Sequence, residues 1–172
     1  MRVFGLLAAA AVLAISAFAQ SEAPVHARST EATQPRPLPG GAGTLWMNPL
    51  AWNWVQSGRD DTVVFIHTNG AVQARAIVSQ PAKPTDEMLV ATLERVRRLD
   101  PKARLLFEEP RTVNGEPMLC AQIVVHEGDP HKETVFYGYL HQGEERSTEL
   151  FAIAPRAALG ELYIELTALL DG

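Results

Sequence analysis

Two alternating apolar runs meet at Asn114-Gly115, and this dipeptide constrains the fold more than any other part of the chain. The two-residue turn whose twist matches its flanking strands needs positive φ at both central positions, which Asn-Gly supplies at least cost. ARLLFEE before it and EPMLCAQIVV after it are therefore read as a hairpin. KETVFYGYL and STELFAIA continue the pattern, so residues 103–154 are expected to form four successive strands.

A second Asn-Gly, at positions 69 and 70, separates TVVFIHT from AVQARAIVS and predicts another hairpin. Pro81 and Pro84 end its second strand, because proline gives no ladder donor and biases its predecessor away from regular structure. Thr85-Asp86-Glu87 then opens a helix, with Thr85 as its expected cap and the two acids where the helix dipole favours negative charge. Leu89, Leu93 and Val96 form its apolar stripe, widened by Met88, Thr92 and Leu99. Pro155 opens a last helix, in which Leu159, Leu162, Leu166 and Leu169 recur at helical spacing. The order ββαββββα describes an α+β fold, an antiparallel sheet of about six strands covered by two helices. A simple turn at Asn114-Gly115 would set the Glu108 carboxylate among Leu119, Ala121 and Ile123. A bulge near Pro110-Arg111 is therefore expected, bringing Leu105 and Phe107 to that helix-covered face instead. Met118, Cys120, Gln122 and Val124 would then form the mixed opposite face.

Residues 1–19 join a single positive charge, Arg2, to an apolar run that ends in Ala17-Phe18-Ala19, the pattern of a cleaved secretory signal peptide. Residues 20–43 are rich in Pro, Ser, Thr and Gly, too poor in apolar groups to offset the entropy of ordering, and are expected to be a disordered leader. Residues 44–172 are expected to be one domain. Export is the implied address, with periplasm favoured over the medium, and no later segment is long and apolar enough to span a membrane after cleavage. The formal net charge of −5 becomes more negative once Arg2 is lost, which argues against nucleic acid or anionic lipid as a partner. Cys120 is the only cysteine, so no intramolecular disulfide forms and the hydrophobic core alone must hold the fold.

Three stretches carry a resemblance: RTVNGEPMLC at 111–120, Phe136-Tyr137-Gly138-Tyr139-Leu140, and a strand leading into a helix that ends Leu169-Leu170-Asp171-Gly172. Together they resemble the Mog1/PsbP-like α+β group, and small exported bacterial proteins of that shape without assigned activity, across residues 44–172. The resemblance implies binding or assembly rather than chemistry. Members of the group bind a small GTPase or support a photosynthetic oxygen-evolving complex, and no partner-binding residue of either maps onto this chain.

The remaining candidates are local. Cys120 with His67, His126, His131 or His141 would make a thiol nucleophile and base, but a cysteine in mid-strand between Leu119 and Ala121 reads more simply as core. His126-Glu127-Gly128-Asp129-Pro130-His131 would gather two imidazoles and a carboxylate for a divalent ion, yet matches no zinc spacing and is also an ordinary polar turn. Tyr137 and Tyr139 share a strand face, and with Arg111 at its border they would line an aromatic groove for a planar or anionic ligand. Trp52 and Trp54, also at i and i+2, would present a binding surface if exposed and would close the core if buried. No nucleophile elbow, phosphate loop, paired-carboxylate or dinucleotide motif is present. The reading is an exported, non-enzymatic envelope protein that binds an unknown protein or small ligand, with no catalytic residue, metal or cofactor assigned. The alternative is a hydrolase or metal-dependent enzyme using Cys120 or the His126/His131 turn.

Overall fold

A computed structural model describes residues 23–172, so the expected signal peptide lies outside the described residues. The elements in chain order are β1 (Val25–His26), β2 (Gln34–Pro37), a 3-10 turn (Pro39–Gly41), β3 (Thr44–Met47), β4 (Trp52–Gln56), β5 (Thr62–His67) and β6 (Gln73–Ser79). Then come α1 (Thr85–Arg97), β7 (Arg104–Val113), β8 (Glu116–Val125), β9 (Thr134–Gln142), β10 (Ser147–Pro155) and α2 (Arg156–Leu170). One sheet of eight strands runs β1-β7-β8-β9-β10-β6-β5-β4, and β2 pairs with β3 in a separate two-stranded sheet. Every pairing is antiparallel except β1 with β7, so the large sheet is mixed.

The six expected strands are its centre, β5 to β10, and two further strands extend it. β4 carries Trp52 and Trp54 along the outer side of β5. β1 pairs Val25 with Thr112 and His26 with Val113. β1 and β2 both fall inside the stretch expected to be a disordered leader, which is thus corrected for residues 25–26 and 34–37. Each finds its stabilisation away from its own sequence: β1 is too short to show periodicity, and β2 has prolines at Pro35 and Pro37, which a two-stranded edge tolerates because their missing donors face outward.

The expected bulge is present but displaced. Register shifts between Leu105 and Phe107, whereas Glu108 pairs with Ala121 and Arg111 with Met118, as a plain two-residue turn dictates. Leu105 joins the α1 face, but Phe107 pairs with Gln122 and turns to the other one, its ring centre 6.4 Å from that of Tyr137. Glu108 stays on the α1 face as well, but it is exposed near the sheet edge, so the burial cost that motivated the other register does not arise.

The two helices lie on opposite faces, a three-layer arrangement rather than one helix-covered face. Met88 and Leu89 of α1 pack on Ala121, Leu140 and Phe151, while Val96 packs with Ile123 and Val125. Leu166, Leu169 and Leu170 of α2 cover Cys120, Tyr137, Tyr139, Leu150 and Ala152 on the other side. Beside α2, Leu45 and Met47 of β3 close the same layer over Trp52 and Phe65. Cover on both sides explains why Cys120 to Val125 are buried without alternation. Thr85 is the first residue of α1 and Pro84 its cap position; Pro155 likewise caps α2 rather than beginning it. Leu99, expected to widen the α1 stripe, lies beyond the helix and is 66% exposed.

Gly138 in β9 sits between Ala121 and Phe151 on the neighbouring strands. A Cβ there would come within 2.7 Å of Phe151 Cα and closer still to the Leu150 carbonyl oxygen, both backbone atoms that cannot step aside. Gly138→Ala is expected to cost more than about 3 kcal/mol of unfolding free energy, read as a lower midpoint at unchanged slope in urea denaturation. A loss below about 1 kcal/mol would show that the strands part easily here.

Candidate functional site

The register of the β7–β8 hairpin turns Arg111 toward α2, where the residue is only 7% exposed. Its Nη1 donates to Tyr137 Oη at 2.8 Å and to Tyr139 Oη at 3.0 Å. Its Nε donates to Glu109 Oε1 at 2.6 Å, and Nη2 reaches the same carboxylate. The Tyr139 hydroxyl in turn donates to Asp171 Oδ1 at 2.8 Å. Asp171 Oδ2 meets His26 Nδ1 at 3.3 Å, and the Asp171 carbonyl accepts from Asn114 Nδ2 at 2.8 Å. Asn114 is the turn residue at φ 52°, so the amide that makes the hairpin turn also ties it to the end of α2.

This charge is buried against two buried tyrosines and paired with the partly exposed Glu109, which is how a guanidinium survives in a core. Burial by itself would lower the Arg111 pKa, but hydrogen bonds with Tyr139, Glu109 and Tyr137 outweigh it and hold the charge more firmly than usual. Burial pushes the Tyr137 and Tyr139 hydroxyls well above the ordinary tyrosine range, reinforced by Tyr163 for the first and Asp171 for the second. Cys120, fully buried beneath them, has its thiol pushed by burial from 9.0 up to about 11, against a smaller opposing pull from Arg111. Such a thiol is protonated at neutral pH and out of reach of solvent, the reverse of a reactive cysteine.

The structure thus brings Arg111, Tyr137 and Tyr139 together, as an internal network and not as the walls of an open groove. Trp52 and Trp54 are elsewhere, on β4 at the far edge of the sheet. Trp52 is buried, its ring edge-on to His67 at 5.1 Å, while Trp54 is 37% exposed with the Arg36 guanidinium 5.3 Å from its ring centre. The histidines also disperse: His67 pairs with Glu165 of α2, His126 lies 3.7 Å from Asp100, and His141 Nε2 lies 3.8 Å from Glu116. Among the described residues no group of three or more His, Cys, Asp or Glu side chains converges.

Next to the arginine network lies a cavity of about 230 Å³. Its apolar walls are Leu38 and Leu45 from the β2–β3 hairpin, Met118 from β8, Leu150 from β10 and Leu170 from α2. Tyr139 stands at its inner side, and Glu116, His141 and Thr148 border it. A concave apolar space with a few polar groups at one end is the form that small-molecule sites take. Sequence reading did not find it, because its lining comes from elements spread over the chain, from the β2–β3 hairpin to α2.

A mixed eight-stranded sheet between two helices is a Mog1/PsbP-like α+β fold. The chain is similar to the solution structure of cyanobacterial PsbP (CyanoP) from Synechocystis sp. PCC 6803, with a TM-score of 0.55 and 11% identity over 73% of this chain and 82% of that one. It also aligns with a protein from Bacteroides thetaiotaomicron VPI-5482 (TM-score 0.49, 11% identity, 80% of this chain and 47% of the other). A third match is PA94, a protein of unknown function from Pseudomonas aeruginosa (TM-score 0.45, 14% identity, 76% of this chain and 88% of that one). No protein-family model matches the sequence, and no curated protein does.

Arg111→Ala would leave two tyrosine hydroxyls and Glu109 without their donor and is expected to cost about 3 kcal/mol in denaturant unfolding, with Arg111→Lys intermediate because it keeps charge without the planar fork. An Arg111→Ala protein as stable as the parent would remove the network from the account of the fold.

The raised Cys120 pKa sets a pH dependence. An acid whose pKa is higher in the folded state lets the unfolded chain lose its proton first, so stability is complete below pH 9.0, the thiol's ordinary pKa, and falls as pH rises toward about 11. The expected loss from Cys120 is about 3 kcal/mol across that window, and the two tyrosines add to it in the same direction. Cys120→Ala should flatten the Cys120 part of the curve when denaturation midpoints are measured against pH; an unchanged alkaline slope in that variant would show the thiol is not its source.

Proposed function

We propose that this chain is an exported, non-enzymatic binding module of the cell envelope. In this reading residues 1–19 are a signal peptide removed after Ala19, the mature protein resides in the periplasm, and its ligand or partner engages the cavity beside β3. The observation that carries it is the contrast between the two halves of the site. The thiol and the guanidinium are held inward, with Cys120 protonated and enclosed and Arg111 committed to Glu109, Tyr137 and Tyr139, while the apolar cavity offers binding volume. The Mog1/PsbP-like fold is compatible with this reading, and fold alone assigns no partner. No helix among the described residues is long and apolar enough to cross a membrane. A hydrolase or metal-dependent enzyme built on Cys120 or on His126 and His131 gains no support from their positions.

Two measurements test the proposal. N-terminal sequencing of the protein from an envelope extract is expected to begin at Gln20, and an intact Met1 form confined to the cytoplasm would refute export. In a strain lacking the chain, a Cys120→Ala/His131→Ala variant is expected to restore whatever phenotype the parent restores, once expressed to equal folded levels. Failure to do so would favour the enzyme.

A further inference from the structure

The cavity and the charges around its mouth together select a ligand chemistry. We propose that this space binds a small primary amine carried on an apolar body, one aromatic ring or a short alkyl chain, an inference that rests on the binding-module reading above.

Size comes first. A dry apolar cavity of roughly 150 Å³ already accommodates benzene, and drug-sized ligands occupy roughly 300 Å³ or more. At about 230 Å³ this cavity suits a single ring with a two-carbon arm, or an alkyl chain of comparable bulk. Leu45, Met118, Leu150 and Leu170 enclose the body. Tyr139, the strongest polar group within, has its hydroxyl occupied by Arg111 and Asp171, so the inner end offers nothing for a second polar group on the ligand.

The head group is set at the mouth. Glu116, its side chain 65% exposed, stands beside His141 at the rim. A shallower depression shares Ala42, His141 and Thr148 with the cavity and adds Glu144, Glu145 and Arg146. Glu144 and Glu145 enter no ion pair among the described residues. Arg146 lines the same depression but is engaged elsewhere, its Nη2 donating to Gln80 Oε1 at 3.2 Å and its guanidinium lying beside Gly40. Glu116 at the rim, with Glu144 and Glu145 in the adjoining depression, favours an ammonium over a carboxylate of the same size.

Amide chemical-shift titration of the full mature chain at neutral pH and low salt, with 2-phenylethylamine, 2-phenylethanol and 3-phenylpropionate, separates body from head. The amine is expected to shift Met118, Leu150 and Leu170 and to bind roughly two- to five-fold more tightly than the alcohol, the anion being weakest, as a solvent-exposed charge contact allows. Glu116→Gln, a surface change without folding risk, should reduce that preference, and added salt should do the same. Ala42→Phe should block all three probes. If the alcohol or the anion binds as well as the amine, the head-group assignment fails while the binding reading stands. If none of the three moves these amides, the cavity is not a ligand site and both fail.

Discussion

A guanidinium in the interior of a small protein stands only where the chain delivers enough acceptors to it, and Arg111 is delivered three at once. Glu109 comes from its own strand, Tyr137 and Tyr139 from a strand two places across the sheet. None of these alone offsets the cost of taking a full charge from water. Their joint presence requires the β7–β8 turn, the β8–β9 register and the seat of α2 to be correct together, since Tyr139 passes the connection on to Asp171 and Asp171 to Asn114 and His26. A register slip by one residue would turn Arg111 to the α1 face and strand both hydroxyls. The network therefore specifies one arrangement of the elements in a way that apolar contacts, which tolerate sliding, do not.

The same enclosure decides what the residues can do. Cys120 lies beneath the network, sealed by the very groups that would have been its activators, and burial outweighs the influence of the nearby positive charge on its thiol. The adjoining cavity, by contrast, is walled by leucines and a methionine and reaches solvent beside carboxylates. Chemistry is suppressed on one side of Tyr139 and volume is kept on the other.

Much of the fold could be read in advance because its signals are local. Asn114-Gly115 and Asn69-Gly70 declare their hairpins, and the leucines of α2 and the Leu89–Val96 stripe of α1 declare their helices. What escaped depends on neighbours. β1 and β2 are held by pairing with β7 and β3, so their Pro- and Ser-rich sequence resembled a leader. The displaced bulge followed from taking Glu108 as buried, when β7 lies near the sheet edge there and leaves Glu108 exposed. Met118, Cys120, Gln122 and Val124 looked like a mixed outer surface because their cover, α2 and the β2–β3 hairpin, comes from opposite ends of the sequence. Arg111, Tyr137 and Tyr139 were recognised as a set from strand parity, and only the packing of α2 could show that they face inward. The cavity left no sequence mark at all.

Asp171 and His26 are 145 positions apart, and Asn114 is 57 from the same residue. Closing so long a loop is entropically slow, and the carboxylate that completes the set is synthesised after almost everything it holds. The set is complete only when Asp171 is in place, and that one residue then ties the end of α2 to β1 and to the β7–β8 turn at once.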